Sequence, residues 1–280
     1  MPGSRGFFAV AFNTREPIDA RAENVALYLS DLDGKTAATM TPMTKNFAII
    51  AALREELDAA ALGISESDRG DRASVQLVRG GVGLDSTRRA ADACSAEWIC
   101  STGFCGALND SLSVGDIVIA SQILDGSEKK SAPVSVDAAF VADMVEALKS
   151  AGLTPQVGPV ISVRDPVFSS EAKRALGQSS GALAVDMESF ALAGARKIVV
   201  LRTVSDAVGD ELPVEVAGFL DEQGNVKAGN VTRFVLKRPT NVKTLWELKK
   251  RSDTAAKALT AAWKAAWPVV EKHCKLKVEN

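Results

Sequence analysis

Two acidic clusters lie on either side of one apolar stretch in the segment Ala184–Asp210. Asp186 and Glu188 form the first cluster, and Asp206 and Asp210 form the second. Carboxyl groups in such clusters can transfer protons near neutral pH when burial or a neighbouring charge shifts their pKa. A lone aspartate more commonly caps a surface helix. Acids clustered this closely instead favour a functional site.

The stretch between the clusters is expected to bring the acids together. Phe190–Arg196 is small and apolar, which predicts a short buried helix. Ile198–Val204 is a β-branched run that is typical of a central strand buried on both faces. Because ligands of open α/β sheets bind at the ends of such strands, we expect the acids to face a shared crevice.

The composition narrows the class of partner. The chain has 280 residues, of which 46% are hydrophobic and 24% charged, and it has enough apolar material for a full core. The net charge is −2 and the pI about 5.7, so no global field attracts nucleic acid or anionic lipid. A small-molecule substrate is expected.

The four cysteines and the single histidine limit the chemistry. No two cysteines have CxxC spacing, and His273 lies near the C-terminus. A zinc site, a Ser-His-Asp triad and a Cys-His pair are therefore not expected, and neither a metal nor an organic cofactor is predicted. Proton transfer falls to carboxylates. Unpaired cysteines predict a cytoplasmic protein.

The first part of the chain differs in pattern from the remainder. Phe7–Phe12 is apolar but too short for a signal peptide or a membrane span, so neither is predicted. We expect residues 1–42 to be a poorly ordered extension, with Met43 as the functional start. Residues 43–280 would then form the domain, with a core at 46–212 and a C-terminal loop and helices at 213–280.

From Asn46 onward, strands and helices alternate along the sequence. The predicted strands are Phe47–Ala52, Ser74–Val78, Trp98–Thr102, Val114–Ile123, Val157–Val163 and Leu183–Val185. The predicted helices are Arg54–Ala61, Asp85–Ala96, Asp137–Ala151 and Ser169–Gln178. This alternation indicates a three-layer α/β/α fold with a mostly parallel central sheet. Phe219–Gly229 is predicted as a polar loop and Asn241–Trp267 as an amphipathic covering helix.

Two glycine-rich segments could border a ligand. Gly81-Val82-Gly83 follows a strand and precedes a helix, a geometry that can present N–H groups to an anion, although a turn without a ligand is the simpler interpretation. Thr102–Gly106 is predicted as a second loop. Its Cys105 could be a nucleophile on a sharp turn, but no histidine is placed to activate it, which favours a buried structural cysteine.

Five segments in order resemble the nucleoside phosphorylase and nucleosidase family, and the resemblance spans Asn46–Leu212. They are Ile49–Glu56, Thr102–Leu108, Val114–Val118, Val185–Ser189 and Arg202–Asp206. Val185–Ser189 (VDMES) and Arg202–Asp206 (RTVSD) are the most specific. The resemblance implies the family fold, a homo-oligomer with a dimer favoured, and cleavage of the N-glycosidic bond of a purine nucleoside.

The resemblance also implies roles for individual residues. Cleavage of a ribosyl–base bond builds positive charge on the sugar and negative charge on the departing base, so acids are needed on both sides of the bond. Asp206 matches the acid at the purine near N7, and Glu188 the carboxylate at the ribose hydroxyls. Met187 matches the residue under the sugar, and Glu56 the glutamate that activates the attacking water.

The remaining substrate-binding residues come from the same motifs, except for Phe168, which follows Arg164-Asp165-Pro166 and falls near the base-binding segment of the family. Phe168 is expected to stack on the purine, although core packing is an alternative role. Five further residues are expected to contact the substrate: Asp186, Ser205, Phe104, Cys105 and Gly106.

The choice between water and phosphate as nucleophile depends on one loop. Phosphorylases of this family usually place an arginine and a serine where this chain has Ser101 and Phe104, and a phosphate dianion needs such donors. Their loss favours water. Arg54 and Arg79 could supply charge from other loops, so a phosphate site stays open.

The sequence therefore predicts a nucleosidase that acts on an adenine-type nucleoside such as methylthioadenosine or S-adenosylhomocysteine. One alternative is a phosphorylase, including a hopanoid-associated type that acts on an adenosyl-lipid, which Ala182–Pro213 and Phe219–Leu259 loosely resemble. A non-catalytic nucleoside-binding module is a second alternative. A cysteine hydrolase that uses Cys105 is a third.

Overall fold

The computed structural model describes residues 46–67, 75–127, 131–194, 197–238 and 241–274. The predicted extension at 1–42 and the predicted start at Met43 lie outside these ranges. The strands are β1 Phe47–Ala51, β2 Val75–Arg79, β3 Trp98–Ala107, β4 Ile117–Asp125, β5 Val134–Ser135, β6 Gln156–Ser162, β7 Ala184–Asp186 and β8 Lys197–Asp206. The helices are α1 Arg54–Ser65, α2 Leu84–Asp92, α3 Ala138–Ser150, α4 Ser170–Ser180, α5 Ala228–Lys237 and α6 Asn241–Cys274.

The described strands form one sheet in the order β2-β1-β3-β7-β6-β4-β5, and β8 pairs with both β3 and β4. The pairs β1/β2, β1/β3, β3/β8, β4/β6 and β6/β7 are parallel. The pairs β3/β7, β4/β5 and β4/β8 are antiparallel. The prediction of a mostly parallel sheet is therefore confirmed. Strands β3, β8, β4, β6 and β7 pair in a closed ring.

Helices cover the sheet on both faces, which confirms the three-layer architecture. In β1, Phe47 and Ile49 point to a core that is shared with α1, α3 and α6, whereas Ile50 points to a second core shared with α2. This alternation follows from the two-residue period of a strand. The helix α6 is fixed on the first face by the buried Trp263, whose indole Nε1 donates a hydrogen bond to Thr102 Oγ1 at 3.0 Å.

The strand β3 is longer than predicted. The sequence suggested that it ends at Thr102 and that Thr102–Gly106 forms a loop, because glycines weaken strands. In the structure β3 continues to Ala107, since β8 pairs with it from Trp98 to Gly106 with one irregularity between Cys105 and Gly106. The predicted second glycine loop is therefore a strand.

The segment between the two acidic clusters also differs from its prediction. In place of a helix over Phe190–Arg196, Ser189–Leu192 forms one 3₁₀ turn, and residues 195–196 lie outside the described ranges. The turn is held by Asp186, whose Oδ1 accepts hydrogen bonds from the backbone N–H groups of Glu188 and Ser189. A capping carboxylate thus favours a tight turn here over a longer helix.

Several other boundaries depart from prediction. The helix α2 ends at Asp92 and not at Ala96, and β4 begins at Ile117 because Gly115, with a φ of +95°, turns the chain just before it. The short β5 and the helix α5 were not predicted. The helix α6 continues through Pro268 to the buried Cys274. No helix in the described part of the chain has the length and hydrophobicity of a membrane span.

Candidate active site

Four carboxyl groups from separate parts of the sequence are buried near the ends of β1, β7 and β8. Glu56 lies in the first turn of α1, Asp186 ends β7, Glu188 follows it, and Asp206 ends β8. Their exposed fractions lie between 3% and 9%. The charges of Glu56, Asp186 and Asp206 all act on the buried Cys105, so the structure brings acids from both predicted clusters to one place.

Both carboxylate oxygens of Glu56 are held by backbone donors. Leu53 N–H donates to Oε2 at 2.8 Å, and Phe104 N–H donates to Oε1 at 2.7 Å. Burial, together with the charge of Glu188, raises the pKa of Glu56 to about 7, although Arg202 and the two N–H groups oppose that rise. A carboxyl group with this pKa can accept and return a proton at neutral pH.

Two glycines of β3 leave room for the acids. Gly103 has a φ of +138°, and a Cβ there would lie 2.5 Å from Glu56 Oε1. A Cβ at Gly106 would lie 2.9 Å from Asp206 Oδ2. Both distances are far below normal contact, so any side chain at either position would displace a carboxylate.

Arg202 is a fully buried guanidinium in the middle of β8. Its NH2 group lies 2.9 Å from Asp186 Oδ2, and its NH1 group lies 3.7 Å from Glu188 Oε2. NH2 also donates to the hydroxyls of Ser101 at 2.6 Å and Ser189 at 3.0 Å. A buried charge is tolerated only with such partners, so Arg202 joins the two acids of the first cluster.

Asp186 and Glu188 differ in their hydrogen-bond partners and in the exposure of their side chains. Asp186 accepts hydrogen bonds from Ser162 Oγ at 2.5 Å and from Ser189 Oγ, and its side chain has no exposed surface. Glu188 Oε1 accepts a hydrogen bond from Gly83 N–H at 3.1 Å. Burial and the negative charge of Asp186 raise the pKa of Glu188, although the charge of Arg202 opposes that rise. The side chain of Asp186 is therefore fully enclosed by the protein, whereas that of Glu188 keeps 10% of its surface exposed.

Asp206 is paired with a lysine that the sequence analysis did not identify. Lys173 Nζ, on α4, lies 2.5 Å from Asp206 Oδ2. It also donates to the carbonyls of Ala207 at 3.0 Å and Asp210 at 2.9 Å. An ammonium has three donors, and here all three have acceptors. Ser205 Oγ donates to the other oxygen, Asp206 Oδ1, at 2.9 Å.

The other predicted substrate-binding residues differ in accessibility. Met187, Phe168 and Phe104 are half-buried, as is Ser205, and could contact a ligand. Cys105 instead packs in the second core beside Val204, and burial raises the pKa of its thiol. Its side chain is thus in the core, as the interpretation of a structural cysteine predicted, and it is a poor nucleophile.

The two arginines considered for a phosphate site do not join the acids. Arg54 is 70% exposed and pairs with Asp58 at 3.5 Å. Arg79 NH2 donates to Asn225 Oδ1 at 2.7 Å. In the Gly81-Val82-Gly83 segment, the N–H of Val82 donates to the Glu222 carbonyl at 2.9 Å, and the N–H of Gly83 is bonded to Glu188. The two N–H groups are therefore already satisfied within the protein, whereas the Nε of Arg79 is buried without a hydrogen-bond partner among the described residues.

The chemistry available here is proton transfer and hydrogen bonding by carboxyl groups. Within residues 46–67, 75–127, 131–194, 197–238 and 241–274, no three acidic, histidine or cysteine side chains are grouped so as to hold a metal ion. Glu56 and Glu188 are the two acids whose pKa is raised. Asp186 and Asp206 are each paired with a buried cation.

Comparison with known proteins places this arrangement in a family. Residues 71–237, more than half of the chain, match the family model described as the phosphorylase superfamily. A 5′-methylthioadenosine/S-adenosylhomocysteine nucleosidase of Staphylococcus epidermidis is 27% identical over 184 residues, which are 58% of this chain and 81% of that protein.

Solved structures share the fold. The nucleosidase of the same name from Helicobacter pylori superimposes with a TM-score of 0.56 at 17% identity, covering 79% of this chain and 98% of that one. The futalosine hydrolase of H. pylori gives a TM-score of 0.56 at 17% identity, covering 79% and 97%. Together with the family match, these likenesses show that the chain belongs to the phosphorylase superfamily.

Proposed function

We propose that this protein is a purine nucleosidase that hydrolyses the N-glycosidic bond of an adenine-type nucleoside. Methylthioadenosine, S-adenosylhomocysteine or another 5′-substituted adenosine is the substrate class. The observation that carries the proposal is Glu56, a buried carboxyl group held by two backbone N–H groups with a pKa raised to about 7. A group that only bound a ligand would not need that pKa.

Charge balance in the site supports water as the nucleophile. Four buried carboxyl groups, namely Glu56, Asp186, Glu188 and Asp206, face two buried cations, Arg202 and Lys173. Both cations are already paired with aspartates. A phosphate dianion would therefore enter an acidic site whose two buried cations are both already paired, whereas neutral water meets no such repulsion.

Each residue of the site has a separate role in the proposed reaction. Glu56 takes a proton from water as the water oxygen bonds to the sugar C1′. The C1′–N9 bond breaks, and its electron pair goes to the purine, while Asp206, which enters the step as the carboxylic acid, gives its proton to N7 so that the base leaves neutral. The proton taken up by Glu56 then returns to solvent, and Asp206 is reprotonated from solvent. Glu188 binds the ribose hydroxyls close to the developing positive charge, and Met187 lies under the sugar. Asp186 acts through Arg202 and Glu188 and does not touch the substrate.

The assembly and compartment follow from the family resemblance and from the cysteines. We propose a cytoplasmic homo-oligomer, with a dimer favoured. Cys94, Cys100, Cys105 and Cys274 are all unpaired and buried, which is usual in a reducing compartment. Light scattering coupled to size-exclusion chromatography measures the oligomer size.

The test is adenine release by chromatography from methylthioadenosine, S-adenosylhomocysteine and adenosine, each with and without phosphate. We expect release that does not depend on phosphate. Glu56→Gln should lower it by about 100-fold or more, because a general base is lost. Glu55→Gln is the matched control: Glu55 is the preceding residue on α1, is partly exposed, and should leave release unchanged. Release that required phosphate would contradict hydrolysis.

A further inference from the structure

The basic residues of this acidic protein are concentrated in one segment. Residues 227–251 contain eight lysines and arginines and one acid, Glu247, in a chain whose net charge is −2. The segment forms α5 and the first turns of α6. Arg233, Arg238 and Lys250 have no carboxylate partner among the residues that the structure describes. Lys243 pairs weakly with Glu247, Lys237 pairs with Glu215 at 3.5 Å, and Lys249 and Arg251 pair with acids outside the segment. A local positive field therefore exists that the global charge conceals.

The same segment exposes large apolar side chains. Leu236 is 77% exposed, Trp246 is 65% exposed, and Val242 is also exposed. Val242 and Trp246 are four residues apart on α6 and therefore share one side of that helix. Lys250, another four residues on, lies with its Nζ 5.7 Å from the Trp246 ring centroid. Val242, Trp246 and Lys250 therefore form one exposed row of apolar and basic side chains along α6.

The side of α5 and α6 that faces the protein is already packed against other apolar residues. Val231 and Phe234 of α5 are buried with Phe219, and Leu245 of α6 packs against them. The helices α5 and α6 are therefore attached to the protein by one side, and their opposite side faces solvent. We call the presented residues the α5–α6 face: Arg233, Leu236, Lys237, Val242, Lys243, Trp246 and Lys250.

We propose that the α5–α6 face is a docking surface for an anionic phospholipid bilayer. An amphipathic helix with lysines and arginines around exposed tryptophan and aliphatic side chains binds at the lipid headgroup level. The basic groups meet the phosphates, and Trp246, Val242 and Leu236 enter the acyl boundary. This is peripheral binding and requires no membrane-spanning helix.

Charge and side-chain type favour a bilayer over other occupants. Two copies of this chain that met through the same face would bring two positive surfaces together. A nucleic acid would satisfy the basic groups but would leave Leu236 and Val242 in water. A bilayer with anionic headgroups satisfies both kinds of side chain.

The experiment is vesicle binding followed by tryptophan fluorescence and co-sedimentation. The chain has four tryptophans, and Trp98, Trp263 and Trp267 are buried, so a blue shift on binding reports Trp246. We expect about tenfold or more stronger partition into vesicles with one part phosphatidylglycerol to two parts phosphatidylcholine than into phosphatidylcholine alone, and weakening by salt.

Two variants give the comparison. Lys243→Glu with Lys250→Glu should lower partition by about tenfold or more. Leu62→Ser with Lys264→Glu is the matched control, because it also replaces exposed side chains but lies on α1 and the far part of α6. Adenine release without vesicles should be unchanged in both variants. A failure of the proposed docking surface can therefore be distinguished from a failure of the proposed function.

Three results would overturn the proposal. The first is equal partition into neutral and anionic vesicles, or no partition at all. The second is a charge-reversed variant that binds as the wild type does. The third is a blue shift that appears with a single-stranded oligonucleotide, or with self-association at high protein concentration, but not with vesicles.

Discussion

Lys173 Nζ lies 2.5 Å from Asp206 Oδ2, and the lysine side chain has no exposed surface. Asp206, the residue proposed to act at the purine, ends the strand β8 and is therefore fixed by a partner on a separate element, the helix α4. The hydroxyl of Ser205 holds its second oxygen. Orientation of Asp206 thus depends on packing between α4 and the end of β8.

Lys173→Met should reduce both stability and turnover. Loss of the ammonium leaves the buried Asp206 carboxylate without its cation, which costs about 3–5 kcal/mol in the free energy of unfolding. Urea unfolding and adenine release measure the two effects. Lys173→Met combined with Asp206→Asn should recover stability but not turnover. If turnover returned as well, the role proposed for the Asp206 carboxyl at the purine would be wrong.

The pH dependence of turnover should report Glu56. Its pKa is raised to about 7, so below pH 7 it is increasingly protonated and cannot accept a proton from water. We expect kcat/KM to fall as the pH is lowered through 7, by about tenfold per unit well below it, and to level off above 7. The residual activity of Glu56→Gln should lack this limb. A limb that persists in Glu56→Gln would belong to another group.

Gly103→Ala should separate steric conflict from backbone strain. The new methyl group would meet Glu56 Oε1 at 2.5 Å on a backbone with φ +138°, so we expect a loss of about 2 kcal/mol in stability together with a large loss of turnover. Gly152→Ala is the control, since Gly152 also has a positive φ, +78°, but faces open space. That variant should lose about 1 kcal/mol and keep full turnover.

Cys105→Ala should keep its turnover. Burial raises the pKa of the Cys105 thiol, so little of the reactive thiolate exists, and its side chain packs in the core. We expect a stability loss of about 1 kcal/mol from the lost packing. Iodoacetamide should leave the folded protein active. Inactivation by alkylation, with loss of turnover in the alanine variant, would support the cysteine hydrolase.

The acids could be found in the sequence, but the lysine that pairs with Asp206 could not. Asp186, Glu188 and Asp206 border a strand with a recognisable β-branched pattern, and strand ends attract ligands. Lys173 precedes Arg174 on the same helix, and Arg174 is exposed and pairs with Asp110. Nothing in the sequence says which of these two cations faces inward, because that depends on how α4 packs.

The sequence does contain a signal for the partners of Arg202. Arg202 interrupts the apolar run Ile198–Val204, and a charge in a buried strand must have ionic partners. Gly103 and Gly106 were misleading, because glycine next to a strand usually marks a turn. Here the glycines stay in the strand and make room for Glu56 and Asp206, which is a tertiary requirement.

The closed ring of β3, β8, β4, β6 and β7 affects how fast backbone amides exchange with solvent in different parts of the domain. Its strands carry Asp186, Arg202 and Asp206 and have no free edge at which the ring could open, so their amides should exchange with solvent only when the whole domain unfolds. The bordering segment 211–226 is held to the core by isolated contacts such as Val82 N–H to the Glu222 carbonyl. The acids on these strands therefore keep a fixed spacing, and we expect the amides of segment 211–226 to exchange with solvent faster than those of the ring.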